Sequence, residues 1–197
     1  VVPSTVSRMP RRSVTVRVAA TLAALALGAG LAACADTTRI PPAPTDTGAA
    51  EPLFASDEEA LAAAVAAYEE YAAVVDALLA RDAPTTQLRE VAEIKIAEST
   101  EAEIEEFLGG GYTATAPREI SASQLQGRIS EEDGSELVVL YVCEDLTNVD
   151  VVDEAGESVV GERTNPRTEI EVVIRVKPDF EGVVTEREVW NGSGICA

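Results

Sequence analysis

Three cysteines, thirty-five acidic side chains and no histidine set the chemistry open to this chain of 197 residues. Without an imidazole, Ser–His–Asp and Cys–His mechanisms and nearly all zinc catalysis are excluded. Cys143 and Cys196 form an even pair once Cys34 is set aside. In an exported protein such a pair reads as a structural disulfide. Closing so large a loop would stabilise the fold by about 4 kcal/mol on the chain-entropy model. A redox thiol or a metal ligand is the alternative, but neither a C-x-x-C spacing nor a histidine supports it. Glu144, Asp145, Asn148, Asp150, Asp153 and Glu154 gather oxygen atoms of the kind calcium accepts. Their spacing does not fit the calcium loop, so a solvated loop is favoured and no metal or cofactor is expected. Tyr68, Tyr71, Tyr141 and Trp190 are amphipathic aromatics that could line a ligand pocket, with ordinary core as the alternative. No residue can be assigned a catalytic role.

Cys34 carries the sharpest signal. Residues 1–33 hold Arg8, Arg11, Arg12 and Arg17 and no acid, whereas the rest of the chain has a net charge of −24. The fourteen-residue apolar run from Val18 to Leu31 is short for a membrane span, which needs roughly 20 residues. Basic, apolar and small-residue segments in that order describe a secretory signal. Leu31-Ala-Ala-Cys34 resembles the bacterial lipobox. That resemblance implies a diacylglyceryl group on the Cys34 thiol, cleavage before it, and anchoring at the outer face of the cell membrane. Each buried acyl methylene contributes about 0.8 kcal/mol, so two chains hold a protein stably. A charge of −24 is repelled by an anionic leaflet, which leaves the anchoring to the lipid. The same acidity argues against nucleic acid as a partner.

The elements that would position these groups begin after a spacer. Residues 34–55 are rich in Pro, Thr and Ala without apolar period and read as a lipidated, disordered tether. A single domain over 56–197 follows. Ser56-Asp-Glu-Glu59 is a capping box, and Leu61, Val65, Tyr68, Ala72, Val75 and Leu79 make one helical face, widened by Ala64, Tyr71 and Leu78. That helix should stop near Arg81, before Ala83-Pro84. Thr86 is expected to cap a second helix carrying Leu88, Val91 and Ala92. Ser99 or Thr100 would cap a third, closed by Gly109-Gly110-Gly111. The period then becomes two. Strands are expected over 112–129, 137–143, 170–176 and 183–190, with a hairpin at Glu132-Asp-Gly-Ser135. Asn191-Gly-Ser193 reads as a turn. Helices first and then mostly antiparallel strands define an α+β fold.

As a set, the Tyr68-x-x-Tyr71…Leu78-Leu79 helix, the Val138…Cys143-Glu-Asp145 strand, the Val151-Val-Asp…Gly156 turn and the closing Trp190…Cys196 resemble exported actinobacterial lipoproteins. Their architecture is similar to the nuclear-transport-factor-2-like cone, in which helices pack into a curved sheet. The short strands this fold often places between its helices are not evident, unless residues 93–97 supply one. Such cones include isomerases and dehydratases as well as binding domains, so shape does not give function. The favoured expectation is a non-catalytic module binding a small molecule or an envelope protein. The alternative is an enzyme whose base is a buried carboxylate near Tyr68 or Tyr141, raised in pKa by an apolar cone.

Overall fold

The computed structural model describes residues 51–192 and 194–196; the expected signal segment, Cys34 and the part of the expected tether through residue 50 lie outside them. Helix α1 (Asp57–Leu79) starts as its capping box requires, with the Ser56 hydroxyl accepting from the Glu59 amide. Glu59 reaches back one residue further than expected and accepts from the Ala55 amide. Asp57, Glu58 and Glu59 occupy the positive end of the helix dipole. The buried line runs Ala60, Ala64, Ala67, Tyr68, Tyr71, Ala72, Val75, Leu78, while Leu61, Val65 and Leu79 are only half-buried. The expected stripe is therefore rotated. Alanines on the central line let the helix axis approach the sheet, and the larger side chains flank the contact.

The next two helices differ from expectation. A single 3-10 turn (Thr85–Gln87) leads into the four-residue α2 (Leu88–Val91), and Ala92 is extended, bridging Val184. Helix α3 (Ile94–Gly109) starts five residues before the expected Ser99, so Ser99 and Thr100 lie inside it and residues 93–97 are not a strand. Serine and threonine cap helices in many sequences, but here Thr100 is buried and bonded to Tyr71 instead. The glycine triplet does end α3, and the Leu108 carbonyl accepts both the Gly111 amide at 3.1 Å and the Arg81 guanidinium at 3.0 Å.

The strand expected over 112–129 is broken at Ala116-Pro117, where proline removes a ladder donor. Its first part, β1 (Thr113–Ala114), pairs with β4 (Val151–Val152) in a small sheet. Its second part, β2 (Glu119–Ser130), joins β3 (Glu136–Asp145), β5 (Arg167–Val176) and β6 (Gly182–Val189) in the order β2-β3-β5-β6, all antiparallel. The β2–β3 hairpin turns at Gly134, whose φ of +83 is open to glycine at little cost. The sheet is curved but unclosed, and the helices pack on its inner face, giving the α+β cone-like arrangement.

Side-chain alternation assigns the faces. Val138, Leu140 and Val142 of β3 and Ile170, Val172, Ile174 and Val176 of β5 point to the helices and are fully buried. Gly182 lies directly against α1: a Cβ there would sit 2.5 Å from that of Ala67. The folded unit also extends past the expected boundary at residue 56. Phe54 is buried against Phe180, with ring centroids 5.8 Å apart, and the Leu53 amide donates to Glu136. Two adjacent apolar residues have no period, which is why the spacer reading absorbed them.

Candidate functional site

A polar cluster interrupts the apolar inner face. Tyr68 of α1 and Glu144 of β3 are both buried, and the phenol donates to Glu144 Oε1 at 2.5 Å. Arg187 of β6 donates to the Tyr68 oxygen through Nε at 3.0 Å and to Glu144 Oε2 through Nη2 at 2.9 Å. Arg118, just ahead of β2, donates to Glu144 Oε1 at 3.1 Å and to Asp76 Oδ1 at 2.9 Å. Two guanidiniums thus face two carboxylates, and every carboxylate oxygen of Glu144 has a donor. The charges balance, which is the condition for burying them.

The electrostatics follow from that geometry. Burial alone would raise the Glu144 pKa, but Arg187, Arg118 and the Tyr68 hydrogen bond together hold it below the ordinary carboxylate value. Burial, aided by the Glu144 charge, pushes the Tyr68 phenol well up, although Arg187 opposes the shift. Burial also works against both guanidinium charges, yet their partners win and both pKa values rise. A general base needs a carboxylate poised near neutrality. Glu144 occupies the place such a base would take beside Tyr68, but its pKa moves the wrong way and its lone pairs are engaged. It works as a structural anion.

Glu136, at the other end of β3, is the second buried carboxylate of the inner face. Its Oε2 accepts from the Leu53 amide at 2.9 Å. Arg128 Nε lies 3.1 Å from Oε1, close enough for an ion pair but misaligned for a hydrogen bond, which leaves that oxygen without a donor.

Arg118 and Arg187 form the floor of a cleft of about 220 Å³ between α1 and α3. Val75, Leu79, Ile104 and Phe107 supply apolar walls. Tyr71 and Thr100 share a hydrogen bond of 2.9 Å at its edge. The larger hollow of about 720 Å³ between α1 and the β5–β6 turn holds none of the buried polar cluster. In this cleft apolar walls meet the two guanidiniums and the Glu103 carboxylate, a combination of the kind that small-molecule sites use.

The four aromatics do not line one pocket. Tyr68 and Tyr71 belong to the helix-covered core, stacked with centroids 5.9 Å apart. Tyr141 points to the outer face of the sheet, where it stacks on Trp190 at 4.2 Å. Parity decides this: Tyr141 is an odd step from Leu140 and Val142, so it cannot share their face. Cys143 has the same parity, and it is joined to Cys196 in a disulfide on that outer side. Glu169 Oε1 there accepts the amides of Gly194, Ile195 and Cys196, at 2.9, 3.1 and 3.1 Å, and so holds the tail down.

The oxygen-rich stretch 144–154 is likewise dispersed. Asp145 accepts from Thr147 and Arg167, a set of bonds that lowers its pKa to about 2. Asp150 bonds Val151 and Ser158, and Asp153 bonds Ala155 and Glu157. Each holds a turn, and among the described residues no three metal-ligating side chains converge. Sequence reasoning missed Arg118, Arg187 and Asp76. The available signal was parity, because Glu144 continues the inward series Val138, Leu140, Val142.

No family model and no curated protein matches the chain. Among solved structures the chain is similar to the intermembrane space region of the chloroplast protein ARC6, with a TM-score of 0.50. The match covers 67% of this chain and 97% of that one at 12% identity. At that identity the likeness concerns the fold.

Proposed function

We propose that the chain is an exported, lipid-anchored envelope protein, similar to actinobacterial lipoproteins with a nuclear-transport-factor-2-like cone, whose folded unit is a non-catalytic binding domain. The observation that carries the reading is the Cys143–Cys196 bond. Disulfides persist in oxidising compartments, so two of the three cysteines argue for export. The third, Cys34, stands at the lipobox position behind a basic and apolar leader. Diacylglycerol on Cys34 would then hold the domain at the outer face of the membrane. The cleft above Arg118 and Arg187 is the surface offered to a small molecule, with an apolar body against Val75, Leu79 and Ile104 and an acceptor group toward the guanidiniums. Binding is favoured over catalysis because the buried carboxylate behind the cleft's two guanidiniums, Glu144, is neutralised by both arginines.

The test is to express the full chain in a bacterium that processes lipoproteins, supply labelled palmitate and fractionate the cells. The expected result is a labelled membrane-bound protein whose mature mass begins at Cys34, with label and membrane retention both lost in Cys34→Ala. An unlabelled wild-type chain with its amino terminus intact upstream of Cys34 would overturn the proposal.

A further inference from the structure

The outer face of the four-stranded sheet carries two parallel strips that the binding cleft does not use. Ladder registers place Ile129 opposite Leu137, and Val139 opposite Val173. With the Tyr141–Trp190 stack, these residues form an apolar strip along β2 and β3 that reaches β5. None of them belongs to the helix-covered core, and Ile129 is 55% exposed. Beside the strip, Glu171 lies opposite Glu188, and Glu186 lies opposite Val173. Like charges directly opposite one another destabilise a sheet. Yet among the described residues none of these three acids has an ion-pair partner. The neighbouring Glu171 carboxylate raises the pKa of the Tyr141 hydroxyl.

We infer that this face docks a basic amphipathic helix of a partner protein. The geometry fixes the type. Strands are spaced by about 4.8 Å, so the apolar strip on β2–β3 and the acids on β5–β6 are two strands, or about 10 Å, apart. A helix with its side chains is about 10–12 Å across. Lying along β3, it would set an apolar stripe on Leu137, Val139 and Tyr141, flanked by Ile129, and its lysines or arginines toward Glu171, Glu186 and Glu188. The charge pattern argues against other occupants. An anionic bilayer would be repelled by the acids. A second copy turned about an axis across the strands would oppose acid to acid, and one turned about an axis along them would set acids on the apolar strip.

The probe is an 18-residue peptide with leucines on one helical face and lysines on the other. It is compared with a permuted peptide of the same composition and with one carrying glutamates for lysines. The full chain with Cys34→Ala is used, so that no acyl group competes. Affinity is read from the anisotropy of the labelled peptide, and its place from the emission of Trp190, the chain's only tryptophan. The ordered peptide should bind at least ten-fold tighter than the permuted one, shift the Trp190 emission and weaken with salt. Glu186→Gln with Glu188→Gln should reduce its affinity at least ten-fold, and Val139→Ser several-fold, with thermal melts near wild type. Equal binding of the permuted peptide would overturn the inference. So would unchanged affinity in the glutamine pair, binding to anionic vesicles, or a peptide-free dimer that buries Trp190.

Discussion

Replacing Glu144 by glutamine tests whether the buried cluster is a desolvated charge balance. The change is nearly isosteric, so packing is preserved while one of two negative charges disappears. Arg118 keeps Asp76, at 2.8 Å from its Nη2, but Arg187 is left with only the Tyr68 oxygen. The oxygen of the amide can still accept; its nitrogen must face Arg118 or Arg187, donor against donor. The two arginine side chains are 10% and 26% exposed, so water can relieve only part of the imbalance. Breaking a buried pair by removing one partner costs about 3–5 kcal/mol. For a domain of this size that corresponds to a fall in Tm of roughly 6–20 °C.

The assay is urea unfolding of the full chain, followed by circular dichroism and Trp190 emission. A triple variant supplies the contrast. Tyr68→Phe, Glu144→Leu and Arg187→Leu together replace the ion pair and its phenol by apolar groups and leave Arg118 with Asp76. Such replacements are often neutral, so the triple variant should recover at least half of the loss. The pH dependence adds an independent sign. The folded-state pKa of Glu144 lies below its ordinary value of 4.5, so the native state binds fewer protons at that site than the unfolded chain. Its contribution is complete above the ordinary value and is lost as pH falls through the lowered one. Wild-type stability should therefore fall more steeply below about pH 5 than that of Glu144→Gln. A loss under about 1 kcal/mol, the range of exposed pairs, would refute the reasoning. So would equal acid slopes in the two proteins.

The domain boundary is tested by comparing chains that begin at Glu51 and at Ser56: the shorter should lose about 3–5 kcal/mol in urea unfolding, the range for truncating a buried phenylalanine, because Phe54 and the Leu53 bond to Glu136 go with it. Two glycines should answer alanine oppositely. Gly182→Ala drives a Cβ to 2.5 Å from Ala67 and should cost about 1–3 kcal/mol in the same assay. Gly127→Ala meets nothing within 4 Å on the outer face and should be neutral or raise stability by up to about 1 kcal/mol.

Where one local rule acts alone, the sequence was a sufficient guide. The capping box at Ser56, the glycines after Leu108 and the hairpin at Gly134 sit where their φ and hydrogen-bonding preferences put them. The alternation expected in β5 likewise survives unchanged. Failures occur where two rules compete. Thr100 is a good cap and also a good partner for a buried tyrosine, and tertiary packing took the second use. Pro117 ended a run whose alternation would otherwise have continued from Tyr112. On α1, hydrophobicity favoured Leu61 and Val65 for the contact line, whereas close approach to the sheet required Ala60 and Ala64.

The site was hidden for a different reason. Its groups come from α1, the start of β2, the end of β3 and the middle of β6, at sequence separations up to 119 residues. No spacing in the chain announces such a meeting. Only Glu144 could have been placed, because a strand that buries Val138, Leu140 and Val142 on one side must bury the next residue of that parity too. A charge forced inward in this way demands a cation on the facing elements, and arginine suits it because it remains protonated when buried. The opposite parity sends Tyr141 and Cys143 outward. One strand thus supplies the anion of the buried cluster, the aromatic of the outer strip and the anchor of the tail. Sliding β3 by one residue against its neighbours would exchange all three, so the apolar series on its inner face fixes the chemistry of both surfaces at once.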